Sequence, residues 1–323
     1  MIPAVERQPD KVASDFYYWA KLLAGKFIVN VVVYGDESTT HDLSSKEIGA
    51  AVLAGYGGFA DDWVNFCGSW QKTLNDYLGH VEVRKRIFHF WEFSDKKNSS
   101  NDPNWPYYGW SEGRRDDFLY KLAAVAGSRV RIPFASAFRL AYFNNDSDIK
   151  DKLREIGLTD AQINGSNIKY ISLFAEFFEA FLMELNFRHP NFSDSISFVF
   201  DDRKDRDWAI AGYDVHCLFK ERDKRFIGSP TFGNTFDYIP LQAADMMAYR
   251  AHQLWENAHK AQKEDLEISK LDFALWGNFR DENEFGNYVF RLFCRNALFE
   301  SGKAKQPLPT RTSLVHAPWR LTP

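Results

Sequence analysis

The sequence predicts an α/β protein in which helices flank one mixed sheet. Residues 27–34 form an apolar, β-branched run and residues 48–55 a second apolar run, and the short polar stretch 36–47 between them is typical of antiparallel neighbours. Farther along the chain, apolar runs alternate with segments whose aromatic residues recur at helical spacing. Because strands that alternate with helices form sheets covered by helices, we expect a sheet of mixed strand direction with helices packed against it.

The predicted strands are short apolar segments that polar or glycine-containing stretches separate. In chain order they cover 27–34, 48–55, 86–93, 130–143 and 195–200. Pro133 lies in the fourth of these strands and has no N–H to donate to a neighbour. It therefore limits where that strand can pair.

The predicted helices carry apolar side chains three or four residues apart. Apart from a short helix at 16–23 that would dock on the body, they cover 61–78, 115–126, 167–187, 207–220 and 240–256. Pro240 suits the first turn of the last helix, where a residue needs no N–H. Residues 98–113 are rich in Asn, Ser, Pro, Gly and Trp and predict a long loop.

A single domain accounts for most of the 323 residues, since no internal repeat, Gly/Ser linker or break in composition divides the chain. We place this domain at 27–260, after an N-terminal extension at 1–26. A helical C-terminal extension with a basic tail follows at 261–323.

Composition narrows the class of protein. The formal charge of -4 argues against a protein that coats nucleic acid, although an enzyme with a local basic groove is compatible with it. Cys67, Cys217 and Cys294 show no paired spacing, which argues against a zinc site or a disulfide framework. No signal peptide begins the chain, and no apolar run approaches the ~20 residues that cross a membrane, so we expect a soluble, cytoplasmic protein.

Two acidic residues, Asp36 and Asp201, each follow an apolar run that predicts a central strand. Ligands bind outside the carboxyl ends of strands in α/β sheets. If these two strands are parallel neighbours, their backbones lie about 4.8 Å apart and both carboxylates reach one ion. The alternative is that each Asp only forms a turn at a strand end.

A third acidic residue, Asp245, interrupts an apolar helical segment at 243–248. A helix that is apolar on nearly every side is buried, so we expect Asp245 where the helix meets the body or the mouth of a cleft. The alternative is an Asp on an exposed strip, or one that caps a neighbouring loop.

Carboxylates that converge at an apolar centre are costly to desolvate unless a cation compensates. Mg²⁺ prefers such oxygen ligands and keeps several of its waters. Bound ions of this kind activate water and stabilise a leaving oxygen, which is the chemistry of phosphodiester hydrolysis. The three segments together therefore point to a site for Mg²⁺ or Mn²⁺.

The same segments resemble the bacterial domain-of-unknown-function 3800 family, whose motifs are a strand followed by Asp-Glu-Ser-Gly and a closing Gln-Leu-Ala-Asp helix. Here Asp36-Glu37-Ser38 and Gln242-Ala243-Ala244-Asp245 match them, and the resemblance covers 27–256. Thr39 stands where Gly is usual, and Ala243 replaces Leu. The resemblance implies a ribonuclease H-like mixed sheet flanked by helices, with a helical C-terminal elaboration, and a metal-dependent nuclease that acts on DNA or RNA.

The resemblance also assigns residues to the site. It implies Asp36, Asp201 and Asp245 as metal ligands and catalytic residues, with Glu37 as a further catalytic residue and Asp202 as a further ligand. The family often has a His-containing middle strand, which 88–92 matches, so His89 would carry protons and Glu92 would act as an outer ligand. The alternative for His89 is simple packing between aromatic rings.

Substrate contacts are suggested by two kinds of segment. Basic clusters at 84–86, 203–206 and 220–225 would contact phosphates, or would be ordinary solvated surface. The Trp-rich stretch 104–110 would stack unpaired bases, or would pack as a lid on its own protein.

Two further interpretations compete. Residues 55–60 fit GxGxxA, the turn that binds dinucleotides, although a Gly-rich turn from strand to helix is the simpler interpretation. The second is a non-catalytic binding protein or adaptor subunit in which the acidic cluster is structural. The aromatic fraction of 16% would then serve an interface with a protein partner or a second copy.

Overall fold

The computed structural model describes residues 29–39, 50–130, 132–139, 154, 159–160, 167–202, 206–220, 225, 229–261 and 270–276. The predicted short helix at 16–23, the linker at 40–47 and the basic tail lie outside the described residues. So do two members of the second basic cluster, Arg203 and Lys204.

One five-stranded mixed sheet organises the described chain. Its strands are β1 (Val29–Thr39), β2 (Ala50–Phe59), β3 (Ile132–Arg139), β4 (Ser195–Asp201) and β5 (Thr231–Gly233). The order across the sheet is β3-β2-β1-β4-β5. Strands β1, β2 and β3 pair antiparallel, whereas β4 pairs parallel to β1 and β5 parallel to β4. The predicted α/β class with a mixed sheet is confirmed.

The helices cover both faces of this sheet. They are α1 (Ala60–Leu78), α2 (Phe90–Ser94), α3 (Lys96–Asn101), α4 (Glu112–Arg129), α5 (Asn167–Arg188), α6 (Arg206–Lys220), α7 (Ile239–Ala261) and α8 (Lys270–Trp276). Within the described ranges, none of these helices has both the length and the apolar character needed to span a bilayer.

The two faces of the sheet have separate cores. On the first, which we call the phenylalanine face, α5 packs against β2 and β3, and α6 packs on α5. Its core is rich in aromatic rings: Phe134, Phe174, Phe177, Phe178, Phe181, Phe198 and Phe200. On the second, which we call the α7 face, α7 packs against β1 and β2, and α1, α4 and α8 complete the layer.

Close packing explains the glycine-rich run in β2. A Cβ on Gly55 would lie 1.9 Å from the carbonyl oxygen of Tyr34, and one on Gly57 would lie 2.4 Å from the ring of Phe181. These glycines lie inside a strand, and the following helix begins only at Ala60. The run is therefore neither a turn from strand to helix nor the turn that a dinucleotide site requires.

The predicted strand at 86–93 is wrong. Residues 86–89 have no regular structure, and α2 begins at Phe90. The alternation of Phe88 and Phe90 resembles a strand, but their backbone N–H groups donate to the side chains of Gln242 and Asp245 instead of to a neighbouring strand. His89 therefore lies on a connection that side chains of α7 hold in place, and not on a middle strand.

Two other boundaries differ from the prediction. The expected loop at 98–113 contains most of α3. Asp95 caps the start of this helix, because its side chain accepts a hydrogen bond from the N–H of Asn98 at 3.0 Å. Strand β1 runs to Thr39 because β2 pairs with it along its whole polar end. Asp36 therefore lies within the strand. Pro133 pairs opposite Tyr56 in β3, which lies at the end of the described strand order, as a residue without an N–H allows.

Candidate functional site

Asp36 and Asp201 lie side by side at one edge of the sheet. The parallel pairing of β1 with β4 ends at Gly35 and Phe200, so the two acids are the next residues on neighbouring strands. Side chains alternate along a strand, which places Asp36 on the same face as Tyr34, whose ring packs against Trp63 of α1. By the same alternation Asp201 shares that face, because Phe198 and Phe200 belong to the phenylalanine face.

Asp36 is only 3% exposed, and its Oδ1 accepts the backbone N–H of Glu37 at 2.8 Å. Glu37 pairs opposite Leu53, a core residue of the phenylalanine face, so its side chain leaves the sheet on the other side from Asp36. An open cleft lies at this edge, and Asp36, Glu37 and Asp201 line it together with Leu53, Phe174 and Phe200 of the phenylalanine face. The two neighbouring acids of β1 thus reach the edge from opposite faces.

Asp202 has a different environment from Asp201. It is exposed, and its two carboxylate oxygens bind Arg206 of α6 at 2.6 and 2.5 Å. The guanidinium of Arg206 also lies 5.4 Å from the centroid of the Phe232 ring. This side chain of the second basic cluster is therefore engaged by a neighbouring acid and an aromatic ring.

Asp245 projects from the buried helix α7 toward the connection that carries His89. Its Oδ2 accepts the N–H of Phe90 at 2.8 Å and lies 3.8 Å from Nδ1 of His89. Its Oδ1 accepts no hydrogen bond from any described residue, and the side chain is 14% exposed. The described contacts of this carboxylate are thus made by Oδ2.

His89 is held at both ring nitrogens. Nδ1 faces Asp245, and Nε2 lies 3.1 Å from the hydroxyl oxygen of the buried Thr235. The Asp245 carboxylate raises the pKa of His89 above its usual value, burial opposes this, and the negative charges of Glu92 and Asp201 add to the rise. The ring nitrogens of His89 therefore face an acid and a hydroxyl group.

Glu92 follows His89 by one turn and is partly buried. Burial raises the pKa of its carboxyl group, the nearby His89 lowers it, and the charge of Asp245 raises it again. Its influence on His89 is electrostatic, since no described residue forms an ion pair with it.

The sequence-based prediction missed the role of Gln242. This residue is 2% exposed, and its Oε1 accepts both the indole N–H of Trp70 and the N–H of Phe88, each at 3.0 Å. Its Nε2 donates to the carbonyl of Thr235 at 2.9 Å. Gln242 and Asp245 are three residues apart on one helix face, and they bind the residues immediately before and after His89. A polar pair in an otherwise apolar helix was the signal for this role.

The predicted metal site is only partly assembled. Among the described residues, no three His, Cys, Asp or Glu side chains converge closely enough to hold a metal ion together. Asp36 and Asp201 are neighbours, and Asp245 is paired with His89. Any ion at the sheet edge would thus take one or two protein carboxylates, which is how Mg²⁺ is commonly held when water and substrate phosphates supply its other ligands.

The basic clusters serve mainly structural contacts in the described residues. Arg86 donates to the carbonyls of Val81 and Gly79 at 2.8 and 2.9 Å and to Asn75 at 3.0 Å, which closes the end of α1. Arg225 donates to the carbonyl of Phe192 at 3.2 Å. These two side chains are occupied by the protein itself.

The Trp-rich stretch packs largely on its own protein. Tyr107 is fully buried, and Trp110 lies between Phe118 and the guanidinium of Arg114, which is 4.4 Å from its ring centroid. Trp105 donates its indole N–H to the carbonyl of Glu92 at 3.2 Å. Most of this segment therefore forms a lid over α2.

This chain matches no family model, and neither a curated protein nor a solved structure matches it.

Proposed function

We propose that this chain is a divalent-metal-dependent phosphodiesterase that hydrolyses nucleic acid, built on a ribonuclease H-like fold. The observation that carries the proposal is the parallel β1–β4 pair, which ends with Asp36 and Asp201 as neighbours on one face. The antiparallel β1–β3 meander followed by parallel β4 and β5 supports the fold. The motif resemblance to the domain-of-unknown-function 3800 family supports both.

Asp36 and Asp201 are the proposed ligands of Mg²⁺ or Mn²⁺. The buried Asp36 and the partly buried Asp201 offer carboxylate oxygens side by side at the mouth of an open cleft, which fits a hard cation. A bound ion of this kind activates water and stabilises charge on the leaving oxygen. Without a cation, this edge would repel a phosphodiester, because Asp245 and Glu92 lie on the same side.

His89 is the proposed proton carrier. The interactions with Asp245 and Thr235 fix the ring, and Gln242 fixes the backbone on which it lies. Its raised pKa keeps the imidazole protonated closer to neutral pH, as a group that donates a proton to a leaving oxygen requires. Asp245 acts here as the residue that orients His89, with its Oδ1 available to a water or an ion.

Hydrolysis of bis(4-nitrophenyl) phosphate, a diester without base or sugar, tests the proposal. We expect turnover that depends on Mg²⁺ or Mn²⁺ and is abolished by EDTA. Asp36→Asn and Asp201→Asn should each remove this turnover. Asp202→Asn is the matched control, because Asp202 lies at the same strand end but pairs with Arg206.

Three outcomes would contradict the proposal: turnover that survives Asp36→Asn, turnover indifferent to chelation, or no turnover with any divalent ion. If instead an ion raises thermal stability without any turnover, the acidic pair is structural. That outcome would favour the non-catalytic adaptor.

A further inference from the structure

Exposed aromatic rings are concentrated around His89. Six aromatic side chains of the described residues are 39% to 60% exposed: Trp91, Tyr108, Tyr120, Phe187, Phe236 and Tyr238. Trp91, the most exposed of them at 60%, lies two residues after His89. Phe236 and Tyr238 follow Thr235, the residue in contact with Nε2 of His89. Three of the six therefore belong to the two segments that hold His89 at its ring nitrogens.

These exposed rings stand on rigid supports. Trp91 packs edge-on against Trp105 with ring centroids 6.1 Å apart, and Trp105 is itself bonded to the carbonyl of Glu92. Between His89 and Trp91, Phe90 stacks on Tyr249 of α7 at 4.1 Å. Fixed rings lose little conformational freedom when a flat ligand stacks on them.

The turn that carries Phe236 and Tyr238 is also held by side-chain contacts. The side-chain oxygen of Asn234 accepts the N–H groups of Phe236 and Asp237 at 3.0 and 2.8 Å, which shapes the turn after β5. The Tyr238 ring lies 6.4 Å from the ring of Tyr34, two residues before Asp36. Aromatic surface therefore flanks the acidic site on the β5 side as well as on the α2 side.

We propose that Trp91, together with Phe236 and Tyr238, forms a stacking platform for unpaired bases, which makes single-stranded nucleic acid the substrate class of this site. The inference rests on the proposed function, because the groups next to a bound phosphodiester are its sugars and bases. In a duplex the base faces are buried in the stack, so exposed rings reach them only in an unpaired strand. Stacking tolerates any base, and we therefore expect little sequence preference.

Binding of fluorescein-labelled 12-nucleotide strands, followed by anisotropy with Ca²⁺ in place of Mg²⁺, tests the platform. Three probes are compared: a mixed-sequence single strand, an abasic strand of equal length, and the duplex. We expect the single strand to bind about 5- to 150-fold more tightly than the abasic strand, the range for stacking of one base. The duplex should bind as weakly as the abasic strand.

Variants locate the effect. Trp91→Ala should lower affinity for the single strand by about the same 5- to 150-fold and leave the abasic strand unchanged. Trp91→Phe should retain most of the affinity. Phe187→Ala is the matched control, because Phe187 is 49% exposed at the end of α5, on the opposite face of the sheet, and it should have no effect.

Equal affinity for the single and abasic strands, no detectable binding of any strand, or wild-type affinity in Trp91→Ala would overturn the inference. Turnover of bis(4-nitrophenyl) phosphate separates the two proposals, since that diester has no base. If it is hydrolysed and the strands are not distinguished, only the platform fails. If the strands are distinguished through Trp91 and the diester is not hydrolysed, only the proposed function fails.

Discussion

The two faces of the sheet use the same strands in different ways. The phenylalanine face is covered by α5 and α6, and its core combines aliphatic side chains with phenylalanine rings, several of them packed edge to face. The α7 face also has an apolar core, but it buries Asp36, Thr235 and Gln242 within it. Each of these polar side chains forms at least one hydrogen bond in the described structure.

This difference suggests that the phenylalanine face mainly stabilises the fold, whereas the α7 face carries the proposed site. Apolar burial predominates on the phenylalanine face, although Ser136 and His216 are buried there as well. Burying polar groups adds a desolvation cost that hydrogen bonds only offset, so a fold gains little stability from them. On the α7 face, Gln242 and Asp245 accept the N–H groups of the two residues beside His89, and Thr235 contacts the His89 ring.

The largest expected effect on stability is on the phenylalanine face. Phe181→Ala removes a fully buried ring that packs against Phe134 and Phe198, and should lower the free energy of unfolding by about 3–5 kcal/mol. Urea unfolding measures this, and diester turnover per folded molecule should be unchanged. Phe187→Ala, at the exposed end of the same helix, should stay within about 0.5 kcal/mol of wild type. A loss of turnover in folded Phe181→Ala would show that the two faces are not separable.

His89→Ala should produce the opposite pattern on the α7 face. We expect the kcat for bis(4-nitrophenyl) phosphate to fall about 10²- to 10⁴-fold, the usual contribution of a positioned proton carrier, while the protein stays folded. His80→Ala is the control, because His80 is an exposed histidine just after α1. An unchanged kcat in His89→Ala would assign His89 to packing alone.

Gln242→Ala should lower both the free energy of unfolding and the kcat, because Gln242 is structural and also positions His89. The indole N–H of Trp70 and the N–H of Phe88 would lose their acceptor, and each buried donor left unpaired costs about 1–3 kcal/mol. Gln242→Glu keeps an acceptor and loses the donor to Thr235, so it should be intermediate. Urea unfolding measures the stability. NMR titration should give a different pKa for His89 in each Gln242 variant than in the wild type. A Gln242→Ala protein as stable as wild type would contradict this role.

The smallest expected effect is on the pH dependence of stability. The pKa of His89 is raised in the folded protein, so its protonated form stabilises the fold fully below the unfolded value of about 6.5. That contribution should be lost as the pH rises through the folded pKa. The difference in unfolding free energy between wild type and His89→Gln should therefore shrink from pH 5 to pH 9. In an Asp245→Asn background, the same difference should change less with pH. A difference that grows with pH would contradict the assignment.

The local pattern of apolar residues predicted most of the helices and strands, but it predicted few of the contacts within the candidate site. Helix α1 and strand β4 have bounds within one residue of the prediction, and the starts of β1 and α7 also follow it closely. The segment 86–93 failed because Phe88 and Phe90 alternate like strand residues. What decides its structure is two hydrogen bonds to α7, from residues about 155 positions apart in sequence, and no local pattern encodes such contacts.

The sequence indicated the acidic residues because Asp is unexpected beside apolar runs. It did not indicate the polar residues that contact the His89 segment. Gln242 and Thr235 are ordinary residues until the fold brings Phe88 and His89 against them. The end of β1 was also misjudged, since the polar residues after Tyr34 read as a turn but pair with β2. Pairing between strands, rather than polarity, sets that boundary.

The central claim is that Asp36 and Asp201 hold a divalent cation together. A crystal soaked in Mn²⁺ and measured at a wavelength where manganese scatters anomalously tests it most directly. We expect one anomalous peak about 2.1 Å from an oxygen of each carboxylate, and no such peak in crystals of Asp36→Asn. No peak at saturating Mn²⁺, or a peak bound by other residues, would contradict the claim.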